Sequence, residues 1–323
     1  MSTVPLKPGD EIRIIAPSIG MQAKKTTTSI ERAQRRLESL GYKVTFGKHV
    51  KSDFHLGTAR ATDRARDLNR AFADTKVKAI MALTGGWSAN EVLPLIDWDI
   101  IKANPKPLIG YSDITVLLNA LYAKTGIKSY LGPNLGTLGK EISWQYTLDN
   151  LQAVLTQTQP IQLRRSKQWG MRSKQQFTTR AWKVLQTGEA EGILLGGNIG
   201  TFYLLQGTPY QPQFNQPFIL LAEDDDESGT FTAREFSRRL ESVLQLPGVR
   251  ANMQGLLVGR FQPSSKVSGT ILASILDSKQ LGDIPIVTGV DFGHTVPMLT
   301  LPIGGTIRLS AQSAPISLEL LSS

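Results

Sequence analysis

The sequence predicts an α/β protein: a parallel-sheet portion first, then a second α/β portion richer in strands. Three observations predict it. Short apolar runs rich in β-branched residues alternate with segments of helical periodicity through the first 125 residues. Glycine and small polar residues close the strands, where ligands sit in such sheets. From about Gln152 the pattern changes to short strands with fewer helices between them.

Residues 11–17 (EIRIIAP) form a buried strand. A helix over 26–40 stops at Gly41, a residue suited to the position after a helix end. A second strand at 42–46 and a helix over 61–72 follow. A third strand, 77–83, runs into Thr84-Gly85-Gly86, and a fourth, 107–110, runs into Tyr111-Ser112-Asp113 and a helix over 114–124. The stretch 164–183 holds Arg164, Arg165, Lys167, Arg172, Lys174, Arg180 and Lys183 with no acid, and its structural signal is weak. It reads as a linker or an active-site loop. Strands are then expected at 191–195, 217–222, 255–259, 286–289 and 306–309, with helices at 233–245 and 270–276. These boundaries divide the chain into 1–160, a basic connector 161–187, and 188–323.

The 323 residues suffice for a large core, and 41% hydrophobic with 20% charged residues is an ordinary globular balance. There is no cysteine, which excludes disulfides, thiolate metal sites and a cysteine nucleophile. The start MSTVPLKPGDEIRIIAPS lacks a basic segment followed by a long apolar one, so no signal peptide is expected, and a cytoplasmic protein is the default. The net charge of +9 raises nucleic acid as a partner, but the basic residues spread along helix faces and no recognition motif accompanies them. A preference for anionic small molecules is the simpler reading.

Ser112 stands where a strand turns into a helix, the geometry that exposes a nucleophilic hydroxyl. Gly110-Tyr111-Ser112-Asp113-Ile114 keeps the first glycine of G-x-S-x-G and lacks the second, so on these five residues alone a plain helix cap is the stronger reading. The chain has three histidines. His49 and His55 flank a polar stretch and look like surface residues, whereas His294 lies in a loop just after an apolar strand, where a base belongs. Glu223-Asp224-Asp225-Asp226-Glu227 reads as an exposed acidic turn or a metal loop, although Ser228 stands where a calcium loop needs glycine. Glu223, nearest the strand, is best placed to point inward. Gly86 is either an oxyanion donor or a simple turn. Nucleotide-cofactor glycine motifs are absent, so no cofactor or metal is expected.

Together, IRIIAPS (12–18), RARDLNRAFADTKVKAIMALTGGW (64–87), PKPLIGYSDITVLLNALYAKTG (105–126), GEAEGILLGGNIGTFYLLQGTPY (188–210), LLAEDDDE (220–227), GLLVGRF (255–261) and VDFGHTVPMLTLPIGG (290–305) resemble the serine LD-carboxypeptidases, most closely the branch holding the microcin C resistance peptidases. The resemblance spans nearly the whole chain. It implies an N-terminal Rossmann-like domain, a C-terminal β-rich α/β domain, and a site between them. It implies Ser112 as nucleophile, His294 as base and Glu223 as its orienting carboxylate, with Ala222 where leucine or isoleucine is usual and Glu227 as the alternative acid. Backbone N–H groups of Gly86 and Asp113 would hold the oxyanion. Substrate is expected to be a cell-wall tetrapeptide or a peptidyl or aminoacyl nucleotide. Trp169, Arg172, Lys174, Trp182 and Asn198 are candidates for binding it. A homodimer is implied; separately, the lack of a recognition motif and of a run of roughly 18 apolar residues leads to no nucleic-acid or membrane partner being expected. A binding protein with a decayed site, or a basic nucleic-acid binder, is the alternative.

Overall fold

The computed structural model describes residues 4–21, 27–158, 160–171, 176–178, 182–312 and 316–321. In the first half, strands β1 (Glu11–Ile15), β2 (Lys43–Phe46), β3 (Val77–Ala82), β4 (Leu108–Gly110) and β5 (Ser129–Leu131) lie side by side in the order β2-β1-β3-β4-β5, all parallel. β1 and β3 are buried on both faces, the reason apolar residues fill successive positions (Ile14-Ile15 and Ala79–Ala82) instead of strictly alternating.

Helices cover both faces. On one side α1 (Thr27–Ser39) sets Ile30 and Leu37 against Ile12 and Ile14. On the other, α2 (Ala61–Ala73) sets Leu68 and Phe72 against Ile15 and Ile80. The short helix α3 (Trp98–Ala103) precedes β4, and α4 (Thr115–Thr125) follows it. Gly126, at φ +70°, ends α4 by donating its N–H to the Tyr122 carbonyl at 2.8 Å. The sheet order reverses between β1 and β3, so their carboxyl ends flank a natural ligand crevice.

The middle stretch carries short strands: β6 (Ile161–Leu163), β7 (Gln168–Gly170), β8 (Gln176–Thr178) and β9 (Lys183–Gln186). Then come β10 (Glu189–Asn198), β11 (Phe218–Glu223), β12 (Met253–Gly259), β13 (Ile286–Val290), β14 (Leu301–Ile303), β15 (Thr306–Ser310) and β16 (Ser317–Leu320). β14, β10, β11, β12 and β13 are neighbours and parallel, and β14 pairs antiparallel with β5. One 14-stranded sheet therefore runs through both halves of the chain.

α4 is buried nearly all round and locks the halves together. Asn119, fully buried, donates from Nδ2 to the Gly196 carbonyl (2.9 Å) and accepts the Gly196 N–H on Oδ1 (3.0 Å). The side-chain amide thus gives β10 the donor and acceptor of a missing strand neighbour. Since α4 begins just after Ser112 and β10 lies beside β11, this pair fixes the serine relative to Glu223. Among the described residues, no helix is long and apolar enough to cross a membrane.

Candidate active site

β4 delivers the chain through extended Tyr111 into Ser112, which sits at φ +64° at the head of a 3-10 turn, Ser112–Ile114, that flows into α4. A non-glycine residue there costs roughly 1–3 kcal/mol and persists only where its surroundings impose it. The surroundings do. A Cβ on Gly85 would fall 2.7 Å from both Cβ and Oγ of Ser112. A Cβ on Gly110 would fall 2.8 Å from Cγ2 of Ile114. The tight contact of the elbow is thus between residues 110 and 114, and glycine at the first lets isoleucine occupy the second.

His294 follows β13 in a short loop. Gly293, at φ +96°, brings that loop onto β11 so closely that a Cβ would lie 2.6 Å from Glu223 Oε2. The result is a continuous chain of contacts: Ser112 Oγ is 2.9 Å from His294 Nε2, and His294 Nδ1 is 2.8 Å from Glu223 Oε2. A carboxylate only accepts, so Nδ1 carries the proton toward Glu223 and the Nε2 lone pair faces the serine hydroxyl. Glu223 closes β11 opposite Asn198 and is 1% exposed. Burial works to lower the imidazole pKa, but Glu223, Asp225 and Asp224 outweigh it and hold the pKa above the ordinary 6.5. A base must be neutral to accept a proton. The acid limb of kcat/KM is therefore expected above pH 6.5, and in Glu223→Gln it should move down; a pH–rate profile of both proteins checks this.

The other acids of the row go elsewhere. Asp224 pairs with Arg239 at 2.8 Å, yet burial still pushes its carboxyl up to about 7. Asp225 accepts the Glu227 N–H, and Asp226 accepts the Ser264 hydroxyl. Glu227 is exposed and lines a cavity of about 730 Å³ together with Ser112, His294, Tyr111 and Gly86. Four of the six charged residues on that lining are acids (Glu141, Asp225, Asp226, Glu227, against Arg32 and Lys140), in a chain of net charge +9. Among the described residues no cluster of histidines and carboxylates could hold a metal ion.

The remaining candidates divide. Gly86, at φ +156°, faces the cavity, and Asp113 follows the serine with its side chain buried. Trp182 is not available for stacking: it is 6% exposed and donates its indole N–H to Asp291 at 3.0 Å. Asn198 is 2% exposed, off the cavity lining, and caps a short helix by accepting the Thr201 N–H at 2.9 Å. Trp169 lies over the Arg260 guanidinium, 5.2 Å from centroid to charge, also off the lining. Arg172 and Lys174 lie outside the described residues. His55 is exposed, but His49 is mostly buried, its Nδ1 3.0 Å from Asp67. Sequence reading did not single out Tyr111, whose ring meets His294 edge-on at 5.3 Å, nor Ser18 and Arg64, which pack behind the Gly86 turn. Ser18 ends the IRIIAPS segment (12–18), but nothing in its spacing marks it.

Comparison with known proteins gives a consistent picture. Residues 12–132 match the model of the LD-carboxypeptidase N-terminal domain, and residues 191–309 match that of the LD-carboxypeptidase C-terminal domain. The chain is 38% identical to YocD of Bacillus subtilis (strain 168), a protein named as a carboxypeptidase, over 95% of each chain. The crystal structure of an MccF-like protein from Bacillus anthracis str. Ames superposes with a TM-score of 0.96 at 35% identity, covering 100% of both chains. The microcin C7 self-immunity protein MccF in complex with aspartyl sulfamoyl adenosine superposes with a TM-score of 0.88 at 28% identity, covering 100% of this chain and 99% of that one.

Proposed function

The chain belongs to the LD-carboxypeptidase family, and from that premise we propose that it is a serine hydrolase cleaving an acyl bond through Ser112, His294 and Glu223. The observation that carries this reading is the unbroken Ser112–His294–Glu223 contact chain at 2.9 and 2.8 Å. His294 Nε2 takes the hydroxyl proton as Ser112 Oγ attacks the scissile carbonyl. The N–H groups of Gly86 and Asp113 receive the developing oxyanion. The imidazolium, steadied by Glu223, protonates the leaving group as the carbonyl–leaving-group bond breaks. Water then attacks the acyl-serine, giving up its proton to His294; the Oγ–carbonyl bond breaks, His294 returns the proton to Oγ, and the acid product leaves.

Two substrate classes fit the family, a cell-wall tetrapeptide and an aminoacyl nucleotide. The acidic lining favours a substrate that brings a positive group beside the scissile carbonyl. An aminoacyl nucleotide does so by construction, because its free α-ammonium is bonded to the carbon next to that carbonyl. The MccF complex with aspartyl sulfamoyl adenosine is consistent with this class. Mass spectrometry of the protein incubated in parallel with a muramyl tetrapeptide, an aminoacyl sulfamoyl adenosine and its N-acetylated form tests the reading. The free-amine nucleotide analogue should be cleaved fastest; cleavage of the tetrapeptide alone overturns the substrate assignment.

Glu227 is the acid of the row best placed to meet the ammonium. Glu227→Gln should lower kcat/KM for the free-amine analogue about fivefold, the scale of a partly exposed charge pair near 1 kcal/mol. The N-acetylated analogue should be unaffected. Equal effects on both would assign Glu227 to the shape of the loop rather than to charge recognition. The resemblance also leads us to infer a homodimer, which sedimentation as a species of twice the chain mass tests.

A further inference from the structure

The reading of Gly86 and Asp113 as oxyanion donors leaves open what holds two loops from different strands at one point. Gly86 follows β3, and Asp113 follows β4. Behind them lies a buried polar assembly that the hydrolytic steps do not use. Ser18, fully buried just beyond β1, donates its hydroxyl to Asp113 Oδ2 at 2.6 Å and accepts the Trp87 N–H at 3.2 Å. Asp113 Oδ2 also accepts the Ala89 N–H at 2.8 Å. Arg64, 2% exposed on α2, donates to the carbonyls of Pro17 (2.7 Å) and Ser88 (2.8 Å), tying the Ser18 loop to the same turn. The fit leaves no slack: a Cβ on Gly86 would lie 2.3 Å from Ser18 Oγ and 2.5 Å from Ile19 Cγ1.

We propose that Ser18 is a positioning residue of the oxyanion hole, clamped by the Asp113 carboxylate so that the Gly86–Ala89 turn and the Ser112 elbow keep a fixed separation. One residue then serves both sides. The Asp113 backbone N–H is one donor, and its side chain, through Ser18, anchors the turn that supplies the other. Burying a carboxylate is costly. Here its oxygen is met by a hydroxyl and a backbone N–H, with the Arg64 charge nearby lowering the cost. A preorganised pair of donors is what a developing oxyanion needs, and small displacements are expensive in rate.

The proposal rests on the serine-hydrolase reading, and a substrate-independent probe separates the two. An alkyl fluorophosphonate reacts with an activated serine: the Oγ–P bond forms, the P–F bond breaks, fluoride leaves and the hydroxyl proton passes to His294. The tetrahedral adduct places its oxygen in the oxyanion hole. Ser18→Ala should lower the second-order inactivation rate roughly 10- to 100-fold, while the acid limb of its pH profile stays where it is in the parent, because His294 and Glu223 are untouched. Ser129→Ala is the matched control. It removes an equally buried hydroxyl on β5, bonded to the Leu118 carbonyl at 2.9 Å and outside the Ser18 assembly, and should lose comparable thermal stability without loss of rate. If Ser18→Ala does not fold, Ser18→Cys, which keeps the shape and weakens the hydrogen bonds, answers the same question. An inactivation rate within twofold of the parent, or a rate loss accompanied by a shifted acid limb, overturns the proposal. If instead Ser112→Ala is labelled as fast as the parent, the nucleophile assignment fails and the proposal falls with it.

Discussion

Ser112→Ala and His294→Ala should each lower kcat by at least about 10³-fold, and the double variant should be little worse than either single one. The reason is geometric. Nε2 lies 2.9 Å from Oγ, and in the proposed mechanism the imidazole acts in the attack step on the serine proton alone, so removing either partner would remove the same event. Whatever activity remains comes from binding and the oxyanion donors. Glu223→Gln should fold normally, since the amide is isosteric, yet lose much of kcat. An amide can turn its NH2 toward Nδ1, which favours the wrong tautomer and leaves the imidazolium without a counter-charge. Single-turnover rates and fluorophosphonate labelling of the four variants measure these effects. Losses that multiply in the double variant would mean that Ser112 and His294 serve different steps. A larger loss in Glu227→Gln than in Glu223→Gln would move the orienting carboxylate to the cavity rim.

The parts of this arrangement that were legible in the sequence are those set by local patterning. The strands expected at 11–17, 77–83 and 217–222 are read from short, mostly apolar runs, because a parallel sheet covered on both faces sets apolar residues on both. The serine turn was visible as a strand-to-helix junction, although the left-handed backbone at Ser112 was not, since nothing in Gly-Tyr-Ser-Asp specifies φ. Glu223 could be separated from its acidic neighbours because it ends a strand. What escaped is long-range. The β5–β14 junction joins two three-residue strands, SYL and LPI, too short to show a period, and Pro302 argues against the second. In the basic middle stretch β7 and β8 pair with each other, but β9 and β6 pair with the distant β13 and β16. Ser18 and Asp113 are 95 positions apart, and no local rule joins them. Trp182 looked like a stacking platform because a tryptophan among basic residues suggests one; its partner, Asp291, lies 109 positions away.

That partner carries the second large expectation. Asp291 is fully buried three positions before His294, and its carboxylate accepts four donors: the Ser166 N–H (2.9 Å) and hydroxyl (2.9 Å), the Trp182 indole (3.0 Å) and the Arg260 guanidinium (2.5 Å). Its own carbonyl accepts the Leu299 N–H at 2.6 Å, closing the histidine loop, while Gly170 and Val296 exchange backbone bonds a few residues on. Asp291→Ala should therefore destabilise the protein by roughly 3–5 kcal/mol, the cost of stranding a buried charge. Arg260 is mostly buried, its Nη1 already lacks a hydrogen-bond partner, and among the described residues Asp291 is its one ion-pair partner. Asp291→Asn should cost less but not little, because an amide nitrogen cannot accept and at least one donor loses its acceptor. The mechanism makes a sharper claim than the loss itself. If most of the cost is the orphaned guanidinium, then Arg260→Met introduced beside Asp291→Ala should recover part of it, and the double variant should be more stable than Asp291→Ala alone. Urea unfolding midpoints at unchanged slope measure the four proteins. A strictly additive double variant, or an Asp291→Ala loss below about 1 kcal/mol, would mean that the middle stretch is held to the histidine loop by packing of Trp182 and Leu163 and not by this carboxylate.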